Sequence, residues 1–128
     1  LLQKTLEYSL SPAVRSQDSP AALVRIARNP FGKEVAWNFF KSKWPEYEKR
    51  YGAGGHIMSH LIPAFGGFNT QEKAAEVKSF FSGKSIPHAK RSIEQTIENI
   101  HLNHEFIKKH EKALEEWIRQ WRKSQLLR

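Results

Sequence analysis

Helical periodicity from one end of the chain to the other constrains this sequence more than any other feature. Leu2, Leu6 and Leu10 form one stripe, and the helix they predict ends before Pro12, because a residue preceding proline is pushed out of the helical region. Ser19-Pro20 reads as an N-cap followed by proline in the first turn, opening a helix through Leu23, Val24 and Ala27 that Asn29-Pro30 stops. Val35, Ala36, Trp37, Phe39 and Phe40 place apolar groups on several faces, as expected of a helix packed between two neighbours. Ser42 is the expected cap of the next helix, whose first turn tolerates Pro45 and which carries Trp44, Tyr47 and Tyr51.

Gly52-Ala53-Gly54-Gly55 breaks the pattern. Ile57, Met58, Leu61 and Ile62 predict a short helix that Pro63 kinks or shortens. After Gly66-Gly67, Asn69 with Glu72 three residues on resembles a capping box, ahead of Ala74, Val77 and Phe81 on one side of a helix. From about His88 the longest pattern begins. Ile93, Ile97, Ile100, His104 and Ile107 trace a buried seam, and a second stripe at Leu114, Trp117, Ile118 and Trp121 predicts a further buried face. Residues 1–124 are thus read as one helical domain and residues 125–128 as a frayed tail. Helices joined by short loops, without strand-like alternation, imply an all-α array of antiparallel hairpins stacked in a solenoid of armadillo or HEAT type.

Composition then narrows the function classes. Among 128 residues, 39% hydrophobic content with 15 aromatics suffices for a packed core. There is no cysteine, so no disulfide, thiolate metal site or cysteine nucleophile can be built. No apolar run reaches the roughly 18 residues of a membrane helix, and no membrane partner is expected. The net charge of +8 is spread out. Only residues 108–128, with seven basic residues against three glutamates, are distinctly basic, and there the charges alternate with apolar positions as on a solvated helix face. Nucleic acid is therefore not an expected partner.

Chemistry-bearing motifs are few. His56 and His60 stand at i, i+4, the spacing of a zinc-binding helix, but the intervening position next to His56 is Ile57 where zinc peptidases carry the glutamate base. His101, His104 and His110 fall in long C-terminal helices and read as core-edge or surface groups. No Gly-x-Ser-x-Gly elbow, P-loop or dinucleotide fingerprint is present. No catalytic residue and no metal site are assigned to this chain. The glycine-bounded 52–70 segment places loop backbone where it can face a cleft.

One ordered set of motifs is familiar. Arg28-Asn29-Pro30-Phe31-Gly32, then Ala36-Trp37-Asn38-Phe39-Phe40 and Trp44, resembles the R-N-P-x-G…A-W-x-F…W stretch in the C-terminal helical domain of the zinc aminopeptidases, the family of aminopeptidase N, the puromycin-sensitive aminopeptidase and the endoplasmic-reticulum aminopeptidases. Tyr51-Gly52 with Gly54-Gly55, Phe68-Asn69-Thr70, Glu76 to Phe81, Ser92 to Ile100 with Asn103, and Glu116-Trp117 agree in order. Pro63 and Ala64-Phe65-Gly66 depart from the pattern and point to local remodelling.

The resemblance implies a non-catalytic domain of an aminopeptidase that removes N-terminal residues from peptides. Its zinc, held by H-E-x-x-H and a downstream glutamate, belongs to a catalytic domain that this sequence does not contain. The domain's implied role is to wall the peptide cavity and dock on its own catalytic domain, with peptide substrates as the other partner. Gly54, Gly55, His56, Ser59, Phe65 and Phe68 are the positions expected to face that cavity. The closest flavour is the cytoplasmic branch, with which the lack of cysteine agrees. Leu1 opens a stretch that already reads as helix, so the chain is expected to be cut from a longer protein, with an exposed apolar edge near residues 1–12 and possible self-association. A free-standing helical adaptor for peptides or proteins is the alternative.

Overall fold

A computed structural model describes residues 1–127. Seven α-helices follow one another: α1 (Leu2–Ser9), α2 (Ser19–Arg28), α3 (Lys33–Ser42), α4 (Trp44–Tyr51), α5 (Ile57–Leu61), α6 (Gln71–Phe81) and α7 (Lys90–Leu126). A 3₁₀ segment, Ile62–Gly67, continues directly from α5. No strand occurs among the described residues. The helices α1, α2 and α3 pack on one another, while α7 lies against α6, α5 and the 3₁₀ segment, which also touches α2 and α3.

The core is aromatic and centred on Trp37, which is fully buried. Its ring meets Phe65 at 5.0 Å, Phe80 at 5.3 Å and Phe40 at 6.1 Å, so α3, the 3₁₀ segment and α6 share one centre. Phe40 extends the cluster to Trp44 at 5.5 Å and Tyr47 at 5.2 Å, bringing in α4. Apolar groups on several faces of α3 are thereby explained: this helix has neighbours on more than one side. Burial drives the hydroxyl of Tyr47 well above the usual phenol range, since its charged form would be stranded in this interior.

The helix boundaries follow a different chemistry from the expected one. Ser19 is the first helical residue of α2, buried with its hydroxyl unpartnered, and the position before it is Asp18, which makes no side-chain cap bond. Ser42 ends α3 instead of opening α4; its Oγ donates to the carbonyl of Phe39 at 2.9 Å. Thr70, not Asn69, caps α6 by accepting the Lys73 amide at 3.1 Å. Of these three helices only α6 has a side-chain N-cap; α2 and α4 begin without one. Pro63 shortens the α-helix as expected: α5 ends at Leu61 and the backbone tightens into the 3₁₀ form, which accommodates proline in its first turn.

The expected pair of C-terminal helices is a single α7 of 37 residues. No glycine or proline lies between Lys90 and Leu126, so nothing in the sequence interrupts it. The first seam is buried in its first part only: Ile100 and the neighbouring Thr96 are buried, Ile93, Ile97 and His104 half-buried, and Ile107 is exposed. The second stripe is not a core: Leu114, Trp117 and Trp121 are exposed. The helix continues through Leu126, and Arg128 lies outside the described residues. Near the N-terminus Leu1 and Tyr8 are exposed, but Leu6 is fully buried and Leu2 and Leu10 pack against the core, so the larger apolar surface lies on α7, not near residues 1–12.

Replacing Trp37 with alanine is expected to lower stability by about 3–5 kcal/mol, the cost of emptying a large aromatic site. Urea unfolding followed by circular dichroism measures the change. A loss below about 1 kcal/mol would show that the core is not organised around this ring.

Candidate functional site

The motif Arg28-Asn29-Pro30-Phe31-Gly32 forms the turn between α2 and α3. Asn29 ends α2 in an extended conformation, and its Oδ1 accepts the Phe31 amide at 2.9 Å, an Asx turn that satisfies the first backbone donor after the proline. Gly32 permits the close return: a Cβ there would stand 2.3 Å from the carbonyl oxygen of Ile26. Arg28 and Phe31 project outward, Phe31 being 89% exposed.

A second turn meets the first. Lys33, just past the motif, donates through Nζ to the Gly67 carbonyl at 2.9 Å. Asn103 of α7 reaches the same turn, its amide donating to the carbonyls of Gly66 at 2.9 Å and Phe68 at 3.0 Å. Ser92 Oγ donates to the Ser59 carbonyl at 3.2 Å. The segment from Ser59 to Phe68 is therefore held by side chains from both α3 and α7, acting on backbone groups that its 3₁₀ geometry leaves without helical partners.

The six positions expected at a cavity separate into two environments. Gly54 and Gly55 are exposed, with φ of 154° and 87° that glycine alone adopts readily, and His56 is exposed at the start of α5. Ser59 is half-buried, its hydroxyl donating to the His56 carbonyl at 2.6 Å. Phe65 and Phe68 are buried: Phe65 stacks on Trp37 and Phe40, and Phe68 lies under the Lys73 ammonium at 4.9 Å. Those two rings are core groups in this conformation and present no surface to a ligand. The exposed members, together with Arg28, Phe31 and Lys33, are the groups that a peptide could reach here.

His56 and His60 both stand at the surface, and no group of three or more histidine, aspartate or glutamate side chains able to hold a metal occurs among the described residues. Two imidazoles without a third donor do not fit a structural or catalytic zinc site. No described helix is long and apolar enough to cross a membrane.

An ion-pair chain, missed at the sequence level, braces α3 against α6. Glu76 accepts from Lys41 at 2.6 Å and from Lys73 at 2.7 Å, and Lys73 continues to Glu34 at 2.9 Å. Partial burial works to raise the Glu76 carboxyl, but its hydrogen bonds to Lys41 and Lys73 outweigh this and lower it to about 2. Lys73 is likewise held above the usual lysine range, against the effect of burial, by Glu76 and Glu34. Lys73 and Glu76 stand at i, i+3 on α6, but their partners Glu34 and Lys41 belong to α3, 39 and 35 residues away in sequence, so only the fold reveals the interhelical contacts.

A groove of about 450 Å³ runs between α6 and α7, floored by Phe81, Ile86, Ile93 and Ile97 and edged by Lys78 and Lys90. None of the six candidate positions lines it.

Because the folded carboxyl of Glu76 lies below its ordinary value of 4.5, its contribution is complete above that pH and disappears as pH falls toward 2. The chain is expected to lose stability across that window, and Glu76→Gln to flatten the loss while costing about 1 kcal/mol at neutral pH, since the pair is partly solvated. Urea midpoints measured at several pH values test this. Asn103→Ala is expected to cost about 1–2 kcal/mol and to speed amide exchange around residues 66–68.

Comparison with known proteins places these motifs in one family. The ERAP1-like C-terminal domain matches residues 1–102. Aminopeptidase M1 of Arabidopsis thaliana is 33% identical over 107 residues, covering 84% of this chain and 12% of the plant protein. The thyrotropin-releasing hormone-degrading ectoenzyme of Rattus norvegicus is 32% identical over 120 residues, 92% of this chain and 11% of its own length. Endoplasmic reticulum aminopeptidase 1 of the same species is 30% identical over 128 residues, 98% of this chain and 14% of its own length. The chain thus spans only about an eighth of these relatives. It belongs to the ERAP1-like C-terminal domain family, the C-terminal domain of the aminopeptidases to which these proteins belong.

Proposed function

We propose that this chain is a non-catalytic part of a zinc-dependent aminopeptidase that removes N-terminal residues from peptides, and that it walls the peptide cavity and docks on the catalytic domain. The family match over residues 1–102 carries this reading. In this reading the chain's contribution is shape and confinement.

Confinement is a physical function in its own right. A helical wall closing over a hydrolytic centre excludes bulk water and folded chains, and it limits which peptides reach the metal. In this reading the zinc and its glutamate base lie in the catalytic domain, where they supply the activated water. The exposed groups of the α4–α5 loop, Gly54, Gly55 and His56, and of the α2–α3 turn, Arg28 and Phe31, are the elements of this chain that face peptide. A HEAT-like stacking of the helices is part of the same reading, supported by the packing of consecutive pairs α1–α2, α2–α3 and α6–α7. So is a cytoplasmic setting, which rests on the resemblance to the puromycin-sensitive, cytosolic branch, with which the lack of cysteine agrees.

A chimera tests the proposal. The rat endoplasmic reticulum aminopeptidase 1 is expected to accept this chain in place of its matching segment. The chimera should keep its activity on a single-residue reporter substrate while its kcat/KM for long peptides changes several-fold. A folded chimera with unaltered long-peptide kinetics would remove the cavity role. Hydrolysis of the reporter by the isolated chain would remove the non-catalytic assignment.

A further inference from the structure

Every charged residue of α7 lies on one side of the helix. At about 100° per residue, the charges from Lys90 to Lys123 all fall within roughly 160° of arc, bounded by Glu111 and Lys109. The other half of the circumference carries none. In the first half of α7 that uncharged side holds the buried Thr96 and Ile100, and Asn103, whose amide is fastened to the Gly66 and Phe68 carbonyls. Beyond Asn103 the same side runs on for about 35 Å. There it carries Phe106, Leu114, Trp117 and Trp121, which are 66%, 57%, 60% and 51% exposed. Trp121 stands about five turns beyond Asn103 and points the same way, and Trp117 stacks on it at 6.5 Å. A side that is an internal interface for half of the helix thus continues, in phase, past the body.

We propose that this side of residues 104–124 is an intramolecular interface, covered by a packed apolar part of the same polypeptide outside residues 1–128. The inference rests on the reading of this chain as a portion of a longer aminopeptidase. Three observations select that occupant. The first is width. A lone pair of helices needs only a narrow seam, whereas a charge-free half-circumference suits a helix set into a body, with neighbours on more than one side. The first half of α7, uncharged on the same side, has three such neighbours in α5, α6 and the 3₁₀ segment. The second is length. The similarity to endoplasmic reticulum aminopeptidase 1 takes in 98% of this chain, and therefore Phe106 to Trp121, yet only 14% of that protein. Most of such a polypeptide lies elsewhere and is tethered to this helix. Tethering presents its surfaces at an effective concentration of about 1 mM, roughly 10³-fold above that of a second copy at ~1 μM. The third is charge. The polar side mixes Glu111, Glu115 and Glu116 with its lysines and arginines, which suits water and not an anionic bilayer.

Hydroxyl-radical footprinting of the full-length protein, held monomeric as checked by light scattering, tests the proposal. Phe106, Trp117 and Trp121 are expected to oxidise at least about tenfold more slowly than in the urea-unfolded protein. Equal rates in the monomer overturn the proposal, as does protection seen only in a dimeric fraction or only with phosphatidylserine vesicles. A natural polypeptide no longer than these residues overturns it too. Substitution gives a second readout. Trp117→Glu with Trp121→Glu should lower the melting temperature of the full-length protein by several degrees and speed amide exchange over residues 108–124. Lys112→Glu with Arg119→Glu, on the charged side, should change neither, and equal effects of the two pairs would contradict the interface. Hydrolysis of an aminoacyl reporter by the same preparation keeps the two readings apart. Protection without hydrolysis removes the aminopeptidase activity and leaves the interface, whereas hydrolysis without protection removes the interface alone.

Discussion

The burial of one indole ring holds this structure together. Trp37 sits where α3, α6 and the 3₁₀ segment converge, in contact with Phe40, Phe65, Phe80 and Phe81. Edge-to-face contacts of this kind add to the area the rings remove from water, so the cluster is both the largest apolar deposit in the fold and a directional one. Everything nearer the surface depends on it. The ion pairs from Lys41 to Glu76 and from Lys73 to Glu34 can form only because Trp37 and Phe81 fix the spacing of α3 and α6. The two turns that carry the family motifs meet because the same cluster sets where α3 begins and where the 3₁₀ segment ends.

Much of this was legible in the sequence. Helix type followed from apolar spacing, and the glycine and proline punctuation located the breaks. The motif set reached the family before any fold was in view. What failed failed locally. Ser19, Ser42 and Asn69 each have the chemistry of a cap, yet each stands one position from the residue the backbone uses, because a one-residue shift changes which face is buried and packing then outweighs the cap. The stripe at Leu114, Trp117, Ile118 and Trp121 was misread as core for a different reason. Periodicity reports that a face is apolar, not what covers it.

The candidate site shows the same division. Gly54, Gly55 and His56 are exposed as glycine-rich loop chemistry suggested, whereas Phe65 and Phe68 turn inward because the 3₁₀ winding after Pro63 directs them toward Trp37 and Lys73. No sequence pattern marks that inversion, since a three-residue turn and an α-helical turn share most of their apolar spacings. The contacts of Glu34 and Lys41 with Lys73 and Glu76 were equally hidden, since they form only across two helices, whereas Lys73 and Glu76 have the i, i+3 spacing of one helix.

The way the turn at Gly66–Phe68 is fastened has a mechanical consequence. Its carbonyls hang from Asn103 on one flank and Lys33 on the other, by directional bonds instead of bulk packing. A twist of α7 about its own axis would therefore tow these carbonyls with it and, through Lys33, tug at the mouth of the Asn29–Gly32 turn. The long helix is in this sense a crankshaft: torque applied beyond Asn103 arrives as displacement at the motif-bearing rim.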